Sequence, residues 1–492
     1  NFPELMLGGA SEPLLPPAAA DMSITPSVSS SVSTWPDSIG NLAFLTSNPD
    51  TSPSSDATPS ALTYDNLSGS LVCGVGKESL IISIDDIIGC DFIDEGVNIL
   101  LIHTYVQNKP RCGKSSNIPL PRSYIQHKLY LSSAEADLDS DKSLIQTNLL
   151  PALRILATNT DQLRNILVVI NPFSGKKLST KIYNEIVKPM LLQSNATVTA
   201  LVTTRAGHAS DAFSVGTPDS IDPYVYDGVV AIGGDGLLFE IMQGVNSRPD
   251  ADGLLSQLPF GIIPGGSGNG LAASVCKARG EADGATQNCY AICKNAPKPA
   301  DLSTYTTKSG KEYTSFLSLS WGIVADVDLE SDRFRALGSM RFDVYAVWRM
   351  ISLRKYRARL MYLPPDAPSS ASSEPGGEGW KVIEDTFQCF WALQTTHAAI
   401  NMYTSPGSSM HDGLFHINVV RGSDRSRYQL LTSFLAFEDG SHVEQEHVEI
   451  IKCRAYKLVP LTDNTHVDLD GEEVEYGEIE ARMREGAWRV YY

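Results

Sequence analysis

The chain of 492 residues is short of basic side chains: 39 Lys and Arg stand against 57 Asp and Glu, a formal net charge of −18. A phosphate backbone needs a basic face, so nucleic acid is excluded as a general partner. No Lys or Arg occurs in the first 64 residues, which excludes from that stretch a signal peptide with a basic n-region and an Arg-rich transit peptide. No apolar run approaches the roughly 18 residues that span a bilayer. Eight cysteines are scattered, and the closest pair, Cys289 and Cys293, has no second pair at a zinc-ligand spacing. Reduced thiols in a cytoplasmic protein are the expectation. Two common phosphate-binding signatures are also missing. There is no G-x-x-x-x-G-K-[ST], and neither Gly cluster supplies the third glycine of G-x-G-x-x-G, so a Walker-type site and a dinucleotide fingerprint are unsupported.

What is present reads as two or three domains, the natural expectation at this length. Residues 1–64 are rich in Ser, Pro, Thr and Ala and bury too little apolar surface to offset their ordering entropy, so they read as a disordered tail. Short apolar runs bounded by Gly, Asp and Pro, such as Leu80-Ile81-Ile82 and Ile99-Leu100-Leu101-Ile102, predict a small β-rich module over 65–132, followed by a linker over 133–160 that turns helix-like from residue 150. Residues 161–300 alternate buried-strand patterns with helical ones, which predicts a parallel sheet with right-handed crossovers. Residues 301–492 are mostly strands with turn signals, with a Pro/Ser/Gly-rich flexible loop over 364–380. The expected class is α/β, a parallel-sheet nucleotide domain followed by an antiparallel, β-sandwich-like lipid-binding domain.

Three turns stand out in the α/β region. The run Ile166-Leu167-Val168-Val169-Ile170 delivers Asn171-Pro172-Phe173-Ser174-Gly175-Lys176, Val229-Val230-Ala231-Ile232 delivers Gly233-Gly234-Asp235-Gly236, and Phe260-Gly261-Ile262-Ile263 delivers Pro264-Gly265-Gly266-Ser267-Gly268-Asn269. A strand that ends in glycines and feeds a helix presents unobstructed N–H groups to phosphate oxygens. Ligands of such sheets sit at the carboxyl ends of the strands, where all three turns fall. Asp235 is the exception. A carboxylate beside phosphate is electrostatically poor unless a metal or a proton to be abstracted is there, and its plain alternative is a turn-forming Asp before Gly.

These turns, with Leu237-Leu238-Phe239-Glu240 after the second, resemble the catalytic domain shared by diacylglycerol and sphingosine kinases. The stretch Ser318-Leu319-Ser320-Trp321-Gly322-Ile323-Val324-Ala325-Asp326-Val327-Asp328-Leu329-Glu330-Ser331, followed by Leu337-Gly338 and Met340-Arg341-Phe342, resembles sphingosine kinases in particular. The match spans about residues 165–477 and leaves the front of the chain outside it. The resemblance implies an ATP- and Mg²⁺-dependent kinase acting on the primary hydroxyl of a sphingoid base (sphingosine, dihydrosphingosine or phytosphingosine). It makes Asp235 the general base, which agrees with the need for a carboxylate at the attacking hydroxyl. It places Asn171, Phe173, Thr203, Gly233, Gly234, Glu240, Gly266, Ser267 and Gly268 at the nucleotide, Arg335 and Arg341 on phosphates, and the late turn Asp470-Gly471-Glu472 back at the nucleotide site. Asp328 is implied to read the amine of the sphingoid head group, a feature diacylglycerol lacks; on spacing alone it reads as the N-cap of a following helix. No metal ligands are assigned.

The sequence also departs from that pattern. Lys177 stands where the resembling enzymes commonly have a glycine, Phe173 where they often have a basic residue, Gly233 where animal sphingosine kinases have Ser, and Phe239 where a His is frequent. A diacylglycerol or ceramide kinase on the same fold is the second reading, with Asp328 against it. An NAD kinase would carry Thr where Leu237 stands. A dead lipid- or calmodulin-binding module is argued against by the presence of Asp235, Arg335, Arg341 and Glu472. Residues 341–360 read as a basic helix. It either lines the lipid pocket with its apolar face or binds an anionic membrane surface or calmodulin, which leads to the expectation of a cytoplasmic protein peripherally associated with membranes.

Overall fold

The computed structural model describes residues 43–46, 60–65, 68–74, 79–94, 98–108, 119–132, 137–331, 345, 348–349, 354–422 and 426–492. The front part is one antiparallel sheet of seven strands, β1 (Ala43–Thr46), β2 (Ser60–Asp65), β3 (Ser70–Cys73), β4 (Leu80–Ser83), β5 (Ile87–Ile93), β6 (Ile99–Gln107) and β7 (Arg122–Leu131), in the order β4-β3-β2-β1-β7-β6-β5. Helix α1 (Leu138–Leu144) continues through a π turn into α2 (Leu150–Thr158). Its Ile145, Leu149 and Leu153 are buried with Phe44, Leu62, Leu71, Leu100 and Leu129 of the sheet.

Two expectations are corrected here. β1 and all but the last residue of β2 lie within the stretch read as a disordered tail. They are only four and six residues long, and the strands that pair with them, β7 and β3, are supplied from further along the chain. Within the stretch read as a linker, the helix expected from residue 150 starts earlier, at Leu138, and it completes this module's core.

The module is bound to the α/β region by buried charge. Arg122 pairs with Glu281 at 2.6 Å and Asp86 at 2.8 Å, and its guanidinium lies 3.9 Å from the centre of the Tyr290 ring. Lys294 donates to the carbonyls of Ile84 and Ile87 at 3.1 and 3.0 Å, and burial lowers its pKa to about 8.

Next come β8 (Arg164–Ile170), α3 (Ser179–Ile182) running through a π turn into α4 (Lys188–Gln193), β9 (Ala196–Val202), α5 (His208–Phe213), β10 (Gly228–Gly233), α6 (Asp235–Asn246), α7 (Ala251–Gln257), β11 (Pro259–Pro264), α8 (Gly270–Arg279) and α9 (Ala285–Cys293). β9, β8, β10 and β11 pair in parallel, in that order. β8, β10 and β11 are covered on both faces, hence their apolar runs, whereas β9 at the edge is largely exposed. The apolar residues Leu178, Ile182, Ile186 and Met190 recur every four positions, which drifts about 40° per repeat on a helix of 3.6 residues per turn. The π turn at Tyr183–Val187 falls in the middle of this run and takes up part of that drift.

The remainder is β12 (Pro297–Thr307), β13 (Glu312–Ser315), β14 (Ser318–Gly322), α10 (Ile323–Glu330), β15 (Tyr356–Leu363), β16 (Lys381–Leu393), β17 (Phe415–Arg421), a helix Arg427–Ala436, then β18 (Glu449–Cys453), β19 (Ala455–Pro460), β20 (Val467–Leu469), β21 (Glu472–Val474) and β22 (Ile479–Tyr491). The joint is β22. Its end lies parallel to β11, and its body pairs antiparallel with β12 and β19, so one path of hydrogen bonds runs through both halves. This is the fold class expected: a parallel α/β sheet followed by an antiparallel β domain.

Most of residues 332–353 lies outside the described residues, and with it Arg335, Arg341 and the front of the expected basic helix. That helix does not extend to residue 360, because residues from Tyr356 onward form β15. The insert expected as a flexible loop carries internal hydrogen bonds, including Trp380 Nε1 to the Ser372 carbonyl at 2.9 Å and the Ser372 N–H to the Glu378 carbonyl at 2.9 Å. No helix among the described residues is long and apolar enough to cross a membrane.

Candidate active site

The carboxyl ends of β8, β10 and β11 bring the three Gly-rich turns into contact. The Gly265 and Gly266 N–H groups both donate to the Gly233 carbonyl, at 2.8 and 3.0 Å. A Cβ on Gly266 would stand 2.3 Å from the Gly234 Cα, and one on Gly175 would stand 2.9 Å from the Gly266 carbonyl carbon. Glycine is required here by close backbone approach. Asn269 closes the last turn on itself: its Oδ1 accepts from the Gly266 N–H and its Nδ2 donates to the Gly266 carbonyl, both at 2.9 Å. Lys177 has φ 60°, a left-handed conformation that costs a residue with a side chain roughly 1–2 kcal/mol. That is the physical reason a glycine suits this position.

Asp235 opens α6, is 7 % exposed, and points across to the start of α8. Its Oδ2 accepts from the Gly270 N–H at 2.9 Å and its Oδ1 from the Leu271 N–H at 3.2 Å. The carboxylate thus sits at the positive ends of two helices. Burial raises its pKa above the ordinary carboxylate value, while the N–H groups of Gly270 and Leu271 pull the other way. A buried carboxylate of raised basicity, fixed at a phosphate-friendly turn, is equipped to take a proton.

The second domain closes over this edge. A Cβ on Gly236 would stand 2.8 Å from Glu472 Oε1, so Glu472 lies against the first turn of α6. The turn that delivers it is held by Asp470, whose carboxylate accepts from Ser315 Oγ at 2.7 Å and from the N–H groups of Phe316, Leu317 and Ser318 at 3.2, 3.2 and 2.9 Å. Burial lifts the Asp470 pKa to about 7 against those donors. Asp470 has φ 53° and Gly471 φ 87°, which makes the turn tight. Residues 397–400 form another wall: the Ile400 N–H donates to the Gly268 carbonyl at 2.9 Å and the His397 N–H to Ser274 Oγ at 3.1 Å.

The other anticipated residues fall around this centre. Asn171 Oδ1 accepts from the Phe173 N–H at 2.9 Å, and Phe173 is 64 % exposed. Thr203 follows β9, buried, with its N–H on the Ile170 carbonyl at 2.8 Å. Ser267 is exposed, and Glu240 lies one turn beyond Gly236 on α6. Phe239, at the position where a His is frequent, stacks on Tyr313 at 6.3 Å.

Asp328 is not an N-cap. Helix α10 begins at Ile323, where Gly322 at φ 82° turns the chain out of β14, so Asp328 stands in the helix's last turn. The sequence reading missed Asn269 and the 397–400 wall as parts of the site. Of these only Asn269 carried a signal, its place in the third turn.

Among the described residues, Asp326, Glu330 and His466 are grouped closely enough to hold a metal. However, Arg349 pairs with both acids, 3.1 Å from Asp326, and Tyr356 Oη donates to Asp326 at 2.7 Å. The protein itself meets that charge.

An α/β domain with a carboxylate in a glycine turn, roofed by a β domain, is the plan of a lipid-kinase catalytic unit. Residues 165–305 match the family described as diacylglycerol kinase catalytic domain, and residues 392–492 match the YegS C-terminal NAD kinase beta sandwich-like domain. Sphingosine kinase 1 of Arabidopsis thaliana is 31 % identical over 65 % of this chain and 69 % of its own length; sphingosine kinase 1 of Homo sapiens is 33 % identical over 62 % and 85 %. Sphingoid long chain base kinase 4 of Schizosaccharomyces pombe is 27 % identical over 65 % and 73 %. A solved structure of a putative diacylglycerol kinase from Bacillus anthracis superposes with a TM-score of 0.48 at 17 % identity, over 67 % of this chain and 97 % of that one. The chain belongs to the sphingosine kinase family.

Proposed function

We propose that this protein transfers the γ-phosphate of ATP to the primary hydroxyl of a sphingoid base, giving the 1-phosphate. The observation that carries the reading is the setting of Asp235, a buried carboxylate of raised basicity at the start of α6, with Glu472 across the same turn. The hydroxyl oxygen attacks the γ-phosphorus as its proton passes to Asp235, and the bond from that phosphorus to the β,γ-bridging oxygen breaks, releasing ADP. The glycine turns let the phosphates approach the backbone, and Asn171, Thr203, Glu240 and Ser267 line the nucleotide's side. Arg335 and Arg341 are assigned to the phosphates through the family resemblance, where a guanidinium fork matches phosphate oxygens. A Mg²⁺ would neutralise charge on the transferring phosphoryl group; Glu472 provides the hard carboxylate oxygen such an ion takes. Asp328 faces the amine, and the lipid substrate brings the protein to a membrane surface.

The test uses labelled ATP, Mg²⁺ and sphingosine. The phosphate should appear on the primary and not the secondary hydroxyl. In a pH profile, kcat/KM should fall as acid protonates Asp235, with a break above the ordinary carboxylate value of 3.8. A rate flat down to pH 4, or phosphate on the secondary hydroxyl, would sink the proposal.

A further inference from the structure

Three buried aspartates stand where α10 and β20 meet or at the turn after β20, and the protein treats them unequally. Asp326 is met by Arg349 and by Tyr356 Oη, although among the described residues its Oδ1 receives no hydrogen bond. Asp470 is met by Ser315 Oγ and three backbone N–H groups. Asp468 accepts from Ser320 Oγ, which reaches Oδ2 at 2.9 Å. The residue is 6 % exposed, and among the described residues its enclosed Oδ1 receives no hydrogen bond and no Lys, Arg or His lies within ion-pair distance of it.

What does face Asp468 is another acid. Asp328 lies within hydrogen-bonding reach; burial first, then the Asp328 charge, drive the Asp468 pKa well up. Two carboxyl groups that close cannot both ionise, so the pair retains a proton unless a cation comes between them. A buried carboxyl at Asp468, held against a second, half-buried acid and with no Lys, Arg or His beside it among the described residues, costs stability. An alkylammonium carries three N–H donors and a full positive charge, and matches both needs.

The position also fits. On β20, Asp468 is opposite Ser320 of β14. The next residue, Leu469, pairs with Glu472 across the hairpin, and Glu472 lies against Gly236 beside Asp235. Asp468, opposite Glu473, thus stands two residues before the Asp470–Glu472 turn that carries Glu472 to α6. In a 2-amino-1-alcohol the amine is one carbon away from the carbon that bears the reacting hydroxyl.

We propose that Asp468 is a second specificity-determining residue, which with Asp328 forms the acid pair that takes the substrate's ammonium group. This rests on the sphingoid-base reading above and extends it to a residue outside the motifs that first suggested it.

The test compares full-length wild type, Asp468→Asn and Asp468→Ser with two acceptors, sphingosine and a monoacylglycerol, which offers a primary hydroxyl and a single chain but no amine. Asp468→Asn should raise the KM for sphingosine at least tenfold, change kcat and the KM for ATP less than threefold, and leave monoacylglycerol turnover where it was. Asp468→Ser, which replaces the acid with a smaller neutral group, should do the same, and serves if the Asn variant folds poorly. An unchanged sphingosine KM overturns the proposal. So does an equal loss on both lipids accompanied by a lowered unfolding midpoint, which would make Asp468 a structural acid. Wild type that does not prefer sphingosine to monoacylglycerol would overturn the sphingoid-base reading itself, and this inference with it.

Discussion

Replacing Asp235 with Asn is expected to lower kcat for lipid phosphorylation by about 10²–10⁴-fold, the range for removing a positioned general base. The substitution keeps the side chain's size but leaves no group able to accept the hydroxyl proton. It also turns an NH₂ towards a position where a backbone N–H now donates, since both Asp235 oxygens accept from the start of α8. Because that is a local mismatch between two helix ends, ATP binding should survive within about tenfold, a change of no more than roughly 1.4 kcal/mol. Single-turnover kinetics and nucleotide titration separate the two effects. A variant that retains a tenth or more of wild-type kcat would remove Asp235 from the role assigned to it.

Gly266→Ala should be nearly as severe, for a different reason. The new Cβ would stand 2.3 Å from the Gly234 Cα and 2.8 Å from its nitrogen, both backbone atoms, so no rotamer change relieves the contact. The turns after β10 and β11 must part, which breaks the Gly265 and Gly266 hydrogen bonds to the Gly233 carbonyl. Forced overpacking of this kind costs about 1–3 kcal/mol, and here it falls on the surface offered to the phosphates. The expected result is a rise of at least tenfold in the Kd for ATP with a lowered unfolding midpoint. The control is Gly253→Ala in α7, where a Cβ would meet nothing within 4 Å. It should leave ATP binding unchanged and stabilise that helix by about 0.5–1 kcal/mol.

The parallel sheet was legible because strands covered on both faces must be unbroken apolar runs, and 229–232 and 260–263 are. The three turns were legible because the backbones meet there and only glycine fits. β15 was not. Its alternation, Tyr356, Ala358 and Leu360 buried with Arg357 and Arg359 exposed, has the period of a strand, yet its arginines continue a basic stretch and suggested a helix. The first strands of the β module escaped because pairing from distant strands overrode a loop-like composition. Asp328 looked like a cap because Gly322, the residue that starts the helix, stands six positions earlier.

The site was legible in the same uneven way. Asp235 announces itself within a glycine turn, and the structure adds why it is basic. Asp470 reads from the sequence as a nucleotide contact; the structure adds that its carboxylate is engaged by residues 315–318 and that Glu472, two residues on, lies against α6. Asp468 gave no local signal, since a single acid in a short strand becomes informative only when its opposing residues are known.

The most direct test of the central claim is acceptor competition. Wild-type protein, labelled ATP and Mg²⁺ are incubated with sphingosine, ceramide and diacylglycerol together, and kcat/KM is taken for each. A site built around a buried charge rejects lipids lacking the matching amine by roughly 10⁴-fold when the fit is tight. Label should therefore appear on sphingosine, with ceramide and diacylglycerol each at least 100-fold lower. Label appearing mainly on diacylglycerol, or equally on all three, would contradict the account.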